Sequence, residues 1–201
     1  MPEQYSPAEA ALVHLDPVLG DLIMRQEPIT RSARDDYFTS LCRSIIGQQV
    51  SVAAATTIFG RLETITKLQH SAVAGITDEQ IKQIGLSRQK TSYLRDLAGH
   101  FVENPKIYDH LDQLTDDDII LELTAIKGIG VWTAQMFLMF TLQRPDVFAP
   151  DDGGLQRAMQ RLYGWDTIPP KQALVLTAEK WRPYRTVACW HLWRSLDNTP
   201  S

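Results

Sequence analysis

The chain has 201 residues, of which 44% are hydrophobic and 22% charged, and its net charge at pH 7 is −4. It contains no apolar run long enough to cross a membrane, and its first residues lack the basic region and continuous apolar segment of a signal peptide, so we expect neither a membrane-spanning nor a secreted protein. The acidic balance disfavours a nucleic-acid partner unless the 20 lysines and arginines are gathered on one face.

Metal and disulfide chemistry receive little support from the composition. Cys42 and Cys189 are too few for a disulfide framework or for a four-cysteine iron–sulfur cluster. The five histidines have no metal-ligand spacing with one another or with the cysteines. We therefore expect no catalytic metal and no cofactor.

In the first half of the chain, apolar residues recur at helical spacing from Phe38 to Ala54 and predict two helices broken near Gly47. Before them we expect only an N-terminal helix that packs on the core. Gln48 and Gln49 lie at the break, where their side chains either project outwards or cap and cross-link the helices. Both possibilities remain open at this stage.

Further along, two capped helices are predicted in succession. Thr77 begins a short helix that ends at Gly85, and Ser87 begins a longer amphipathic one. Arg88 and Lys90 lie in the first turn of the second helix, where positive charge opposes the helix dipole. This placement favours either a phosphate contact or a solvated basic turn. A later helix start, at Thr115, is followed by three acids, which we interpret as good capping.

The turn Lys127-Gly128-Ile129-Gly130 connects two apolar helical segments. Glycine allows positive φ and close backbone approach, and the helix that follows offers unpaired N–H groups, a combination that suits a phosphate. A dinucleotide-binding fingerprint is disfavoured, because Thr133 occupies the position of its third glycine and no strand precedes the turn.

A segment with two adjacent carboxylates follows the hairpin. Asp151 and Asp152 come after Pro150 and directly before a helix that ends at Gly164, so that backbone N–H groups and the helix dipole stabilise the negative charge there. Simple N-capping is the alternative, and one residue can serve both roles. The remaining sequence predicts two helices rich in aromatic residues, most of which we expect in the core.

Three motifs in this order resemble the helix-hairpin-helix (HhH-GPD) DNA glycosylase superfamily. They are Ile46–Val52 (I-G-Q-Q-V-S-V), the pattern L-x-x-I-x-G-I-G-x-W-T-A with the later P-D-D, and Trp181–Arg185 (W-R-P-Y-R). Within it, the chain is similar to the 3-methyladenine DNA glycosylase II branch, in a short form without the N-terminal β domain. The resemblance implies an all-α fold: a two-lobed helical bundle with a catalytic cleft between the lobes. We predict one lobe from residues 1–44 and 119–201 and a middle lobe from 45–118, in a single compact unit.

The implied activity is that of a monofunctional DNA glycosylase. Such an enzyme flips alkylated bases of the 3-methyladenine or 7-methylguanine type out of duplex DNA and hydrolyses the N-glycosidic bond, leaving an abasic site for base excision repair. The alternatives are a non-catalytic helix-hairpin-helix DNA-binding module and a glycosylase for oxidised or mismatched bases. We expect a monomer acting on double-stranded DNA, in the bacterial cytoplasm with the nucleoid or in a eukaryotic nucleus.

The resemblance also assigns residues. Asp152 is the implied catalytic carboxylate, and a lysine of the lyase-competent branch is replaced by Trp132, which implies water as the nucleophile. Gly153-Gly154, where relatives have a bulkier residue, is expected to loosen the helix start. The implied substrate-binding residues are Trp132, Trp193, Gln49 and Tyr184. The implied DNA-binding residues are Lys127, Gly128, Ile129, Gly130, Thr133, Gln48 and Val50, with Gln49 or Val50 as the intercalating wedge and a possible monovalent cation on the hairpin carbonyls.

Overall fold

The computed structural model describes residues 4–30 and 35–197, and over these ranges it contains helices and turns but no β-strand, which confirms the all-α prediction. None of the helices in these ranges is both long enough and apolar enough to cross a membrane. The α-helices are α1 Pro7–Leu15, α2 Pro17–Met24, α3 Tyr37–Gly47, α4 Val52–Thr66, α5 His70–Ala74, α6 Asp78–Ile84, α7 Arg88–Glu103, α8 Pro105–Tyr108, α9 Asp116–Thr124, α10 Val131–Met136, α11 Gly153–Tyr163, α12 Lys171–Ala178 and α13 Arg185–Asp197.

The chain divides into two compact units. The terminal unit is the described part of Met1–Ala33 together with that of Gln143–Ser201, and the middle unit is the described part of Arg34–Leu142. These boundaries differ from the predicted ones at 44/45 and 118/119. The reason is that α3 packs against α4 and α7, while α10 packs against α9 and continues as a π-helical segment, Phe137–Thr141, that contacts α3. The whole hairpin therefore belongs to the middle unit.

Helix ends in the middle unit follow the predicted capping signals. Thr77 forms a complete capping box with Gln80, and Gly85 ends that helix in the left-handed conformation with φ +85°. Ser87 caps α7 through the N–H of Lys90. The Lys90 ammonium donates to the carbonyl of Ile46 at 2.7 Å, so it closes the end of α3. Lys90 is therefore bonded to the protein and is not simply a solvated charge, while a phosphate contact of this basic turn stays a prediction.

The terminal unit encloses a buried polar pair that joins its two chain segments. The Glu9 carboxylate on α1 lies 3.0 Å from Nε2 of His191 on α13, and both side chains are buried. The same carboxylate accepts hydrogen bonds from the N–H groups of Ser6 and Ile29, at 2.8 and 2.9 Å. Because buried charges need partners of this kind, the pair connects the N-terminal helices to the last helix of the chain.

Candidate functional site

The hairpin turn requires glycine at its first bend. Gly128 has φ +84°, and a Cβ atom there would lie 2.2 Å from Cδ2 of Tyr93 on α7. Gly130 then adopts an extended conformation as the N-cap of α10 and supplies no side-chain hydrogen bond to the helix. The start of α10 thus has the backbone arrangement that suits an anion.

The junction after α3 is connected to the hairpin. Gln48 follows the last residue of α3, and its Nε2 donates to the carbonyl of Gly128 at 2.8 Å. Of the two roles considered for this glutamine, the cross-linking one is therefore present. Gln49 is exposed and has φ +57°, a conformation that is uncommon for residues other than glycine. Val50 is 39% exposed, so both candidate wedge residues lie at the surface.

Beside this junction the middle unit has an open pocket of about 520 Å³. Trp132 lines it from α10 and Gln49 lines it from the junction, so two of the predicted substrate-binding residues share one depression. The indole of Trp132 is 46% exposed, which is high for so large an apolar side chain. The lining residues are Arg43, Ser44, Gly47, Gln48, Gln49, Trp132, Thr133 and Met136.

The other residues predicted to contact DNA differ in how far they are exposed. Ile129 and Thr133 are buried at 4% and 7% exposure, so their side chains are not presented at the surface. The Lys127 side chain is 67% exposed, but its ammonium pairs with Asp96 at 3.0 Å. The carbonyls of Ile126 and Gly128 each accept one hydrogen bond, from Ile129 N–H and Gln48. A carbonyl has a second lone pair, so these oxygens can still contribute to a monovalent cation site.

In the terminal unit, Asp152 and Trp193 are in direct contact. Asp152 is the N-cap of α11, and its Oδ1 accepts the N–H of Leu155 at 2.8 Å. The same oxygen accepts Nε1–H of Trp193 at 2.9 Å. Both side chains are half-buried. The carboxylate is thus oriented by one backbone and one indole donor, the kind of support that a reacting group needs.

The glycine pair Gly153-Gly154 leaves room for the contact between Asp152 and Trp193. A Cβ atom on Gly154 would lie 3.0 Å from Oδ1 of Asp152 and 3.1 Å from Cδ1 of Trp193. The helix start is regular despite the two glycines, because α11 begins directly after its Asp152 cap, and the expected loosening stays a prediction. Asp151, by contrast, is exposed and pairs with Lys171 at 2.6 Å.

The loop that leads to Asp152 is held by the first turn of α13, a feature that sequence reasoning missed. Arg185 donates to both carboxylate oxygens of Asp146, at 2.7 and 3.1 Å, and to its backbone carbonyl at 2.7 Å. Thr186 Oγ1 accepts the N–H of Val147 at 3.0 Å and donates to the carbonyl of Arg144 at 2.6 Å. The W-R-P-Y-R motif contains Arg185, but the motif alone does not indicate that Asp146 is the partner of this arginine.

Tyr184 lies immediately before α13 in the same unit as Asp152. It is half-buried, and its N–H donates to the carbonyl of Trp181 at 2.7 Å. The structure thus brings together two groups of predicted residues: Asp152 with Trp193 in the terminal unit, and Gln48, Gln49 and Trp132 around the hairpin in the middle unit.

The chain matches a known protein family over most of its length. Residues 42–183 match the HhH-GPD superfamily of base excision DNA repair proteins. The chain belongs to this superfamily, which confirms the resemblance drawn from its motifs. A Bacillus subtilis relative, YfjP, whose name describes it as a candidate DNA-3-methyladenine glycosylase, is 31% identical over 173 residues, covering 81% of this chain. The chain spans 60% of that relative's length.

Two solved structures share the fold over nearly the whole chain. A DNA-3-methyladenine glycosidase from Bacillus halodurans has a TM-score of 0.86 and 36% identity, with 96% of this chain and 90% of that chain covered. The 3-methyladenine DNA glycosylase Mag1 from Schizosaccharomyces pombe, solved in complex with abasic DNA, has a TM-score of 0.82 and 28% identity, with coverage of 96% and 97%. These likenesses also confirm the helical glycosylase fold.

Proposed function

We propose that the protein is a monofunctional DNA glycosylase that releases alkylated bases of the 3-methyladenine type from duplex DNA and leaves an abasic site. The observation that carries the proposal is the contact between Asp152 and Trp193 on a chain of the HhH-GPD superfamily. The names of similar proteins from Bacillus halodurans and Schizosaccharomyces pombe support the same substrate class.

The chemistry asks little of a general acid. A base methylated at a ring nitrogen is positively charged, so it leaves with the electron pair of the C1′–N bond and becomes neutral. The sugar passes through an oxocarbenium-like state, which the Asp152 carboxylate would stabilise, and water then adds to C1′ and loses a proton to a base such as Asp152. Electron-rich indole rings favour the cationic base over its neutral parent, a role that we assign to Trp132 and Trp193.

The hairpin would supply affinity that does not depend on sequence. Its glycine bend and the start of α10 present backbone N–H groups suited to a phosphate of the damaged strand. Gln49 and Val50 are exposed beside it and could fill the gap left by an extruded nucleotide. Extrusion costs least for a damaged base, which adds selectivity.

The reaction type follows from the residue that precedes Thr133. A lyase would use an amine to form a Schiff base with the sugar. Trp132 has no such amine, and the nearby Lys127 is paired with Asp96. We therefore expect no covalent adduct on borohydride treatment. Trapping of such an adduct would support a lyase acting on oxidised bases instead.

The decisive experiment compares two neighbouring carboxylates. Asparagine is as good an N-cap as aspartate, so Asp152→Asn keeps an oxygen for Leu155 N–H and for the indole of Trp193 while it removes the charge. We expect release of 3-methyladenine from methylated duplex DNA to fall by about 100-fold or more. The melting temperature and DNA affinity should stay near those of the wild type.

The matched control is Asp151→Asn, which removes the same charge from an exposed residue one position away. It should keep wild-type base release. Equal activity of both variants and the wild type would refute the catalytic assignment. DNA binding without base release from any methylated duplex would favour the non-catalytic module.

A protein of this function would act as a monomer wherever genomic DNA lies, in a bacterial cytoplasm or a eukaryotic nucleus.

A further inference from the structure

Helix α7 braces the hairpin turn from one side. Tyr93 of this helix packs so closely on Gly128 that no Cβ atom would fit between them. Asp96 lies three residues further along α7 and therefore on the same helix face. Both residues and the hairpin lie in the middle unit.

Asp96 makes two distinct contacts with one hairpin residue. Its Oδ2 accepts the backbone N–H of Lys127 at 2.8 Å, and its Oδ1 lies 3.0 Å from the ammonium of the same lysine. The Asp96 side chain is 20% exposed, whereas that of Lys127 is 67% exposed. The carboxylate is thus held in the protein, and the lysine folds back onto it.

The residue that directly follows α3 also bonds to the turn. Gln48 Nε2 donates to the carbonyl of Gly128 at 2.8 Å. The backbone at two consecutive hairpin residues is therefore bonded to two side chains, one from α7 and one from the residue that directly follows α3. A turn that binds a phosphate through backbone N–H groups gains affinity when its shape is set before binding.

The pairing changes the electrostatic role of Lys127. A free lysine beside a phosphate site neutralises DNA charge and raises the salt dependence of binding. Lys127 is already neutralised by a carboxylate. Burial alone would raise the pKa of Asp96, but the hydrogen bonds from the Lys127 N–H and ammonium outweigh burial and bring that pKa below its usual value. The pair is therefore ionic and close to neutral overall at physiological pH.

We propose that Asp96 is a positioning residue that holds the hairpin in its phosphate-binding shape, and that the Lys127 ammonium is the counter-ion of Asp96 and no phosphate contact. The inference rests on the proposed DNA-binding role of the hairpin. It does not depend on which base is released or on catalysis at Asp152.

The test measures the affinity of four variants for a duplex with an abasic-site analogue, between about 50 and 200 mM salt, a range over which phosphate contacts register clearly. Asp96→Ala removes both acceptors and should weaken binding about tenfold or more, as expected for the loss of a charge-assisted hydrogen bond that orders the site. Asp96→Asn retains an oxygen for the Lys127 N–H and should restore most of the affinity. Glu103→Gln removes a charge elsewhere on α7 and is the matched control.

The double variant Asp96→Asn with Lys127→Met removes both charges and keeps the backbone contact. We expect affinity within about twofold of the wild type and an unchanged salt slope, since each lysine–phosphate contact would contribute about one unit to that slope. A slope reduced by a full unit, or wild-type binding by Asp96→Ala, would overturn the inference.

Two further readouts separate this role from general stabilisation. Amide exchange at Lys127 should speed up in Asp96→Ala, while the core of α7 keeps its protection. In single-turnover base release, the enzyme concentration needed for half-saturation should rise in Asp96→Ala by the same factor as the loss of affinity, because the hairpin contributes to DNA binding. If the wild type bound DNA with the expected variant pattern but released no methylated base, the proposed function would fail and this inference would stand.

Discussion

Substitution of Gly154 by alanine tests whether space beside Asp152 is needed for catalysis. The added Cβ atom would lie 3.0 Å from the Asp152 carboxylate and 3.1 Å from the Trp193 ring, so that one of them must move by a few tenths of an ångström. Gly154 lies in the first turn of α11, where alanine otherwise suits a helix better than glycine. The substitution therefore has opposite effects on the helix and on the site.

The expected magnitudes follow from these two effects. Alanine should stabilise the helix by up to about 1 kcal/mol, or raise the melting temperature by roughly 2–4 °C, less the cost of the close contact. A misplacement of about 1 Å costs on the order of a hundredfold in rate, so a shift of a few tenths should cost about three- to tenfold. We therefore expect Gly154→Ala to keep the stability of the wild type and to release the base more slowly.

The assay is single-turnover release of 3-methyladenine with enzyme in excess, alongside thermal unfolding. Gly153→Ala is the control, because its Cβ atom would meet only the flexible end of Arg157, at 3.3 Å. We expect Gly153→Ala to keep the wild-type rate. If Gly154→Ala released base as fast as Gly153→Ala, the close packing at Asp152 would have no catalytic role and the reasoning would be refuted.

Two other substitutions probe the packing of each unit. Gly128→Ala should destabilise the middle unit by about 2 kcal/mol or more in urea unfolding, because of the positive φ and the overlap with Tyr93, and weaken DNA binding; unchanged affinity would argue against the hairpin as the phosphate site. Burial lowers the pKa of His191, so its imidazole is neutral at neutral pH, and Glu9→Gln weakens the hydrogen bonds of the buried carboxylate without leaving an unpaired charge. The substitution should cost about 1.5–3 kcal/mol at neutral pH. Burial would raise the pKa of Glu9, but hydrogen bonds from Ser6, Ile29 and His191 outweigh it and lower that pKa below 4.5. Its stabilisation is therefore present above pH 4.5 and lost as the pH falls through the lowered pKa, so unfolding curves of the variant and wild type should converge in acid.

Features encoded by neighbouring residues were predictable from the sequence. The caps at Thr77 and Ser87 and the break after Gly47 each depend on side chains within a few positions of one another. The contact of Asp152 with the start of α11 is of the same kind. Local propensity and capping chemistry suffice for such features.

Features that join distant residues were not predictable in the same way. Asp96 and Lys127 are 31 positions apart, and Glu9 and His191 are 182 apart, so no local pattern pairs them. The close approach of Trp193 to Gly154 could not be foreseen either, because the two residues are far apart in the sequence. The family resemblance indicated which residues matter, and tertiary packing determines how they are held.

Helix α13 sets a distance as well as making contacts. It fixes the start of the loop before Asp152 through Arg185 and Thr186, and it touches Asp152 itself through Trp193. Thr186 and Trp193 are seven residues apart, about two helical turns or roughly 10 Å. One residue inserted between them would rotate the indole by about 100° around the helix axis. The length of this stretch is therefore constrained as tightly as its composition.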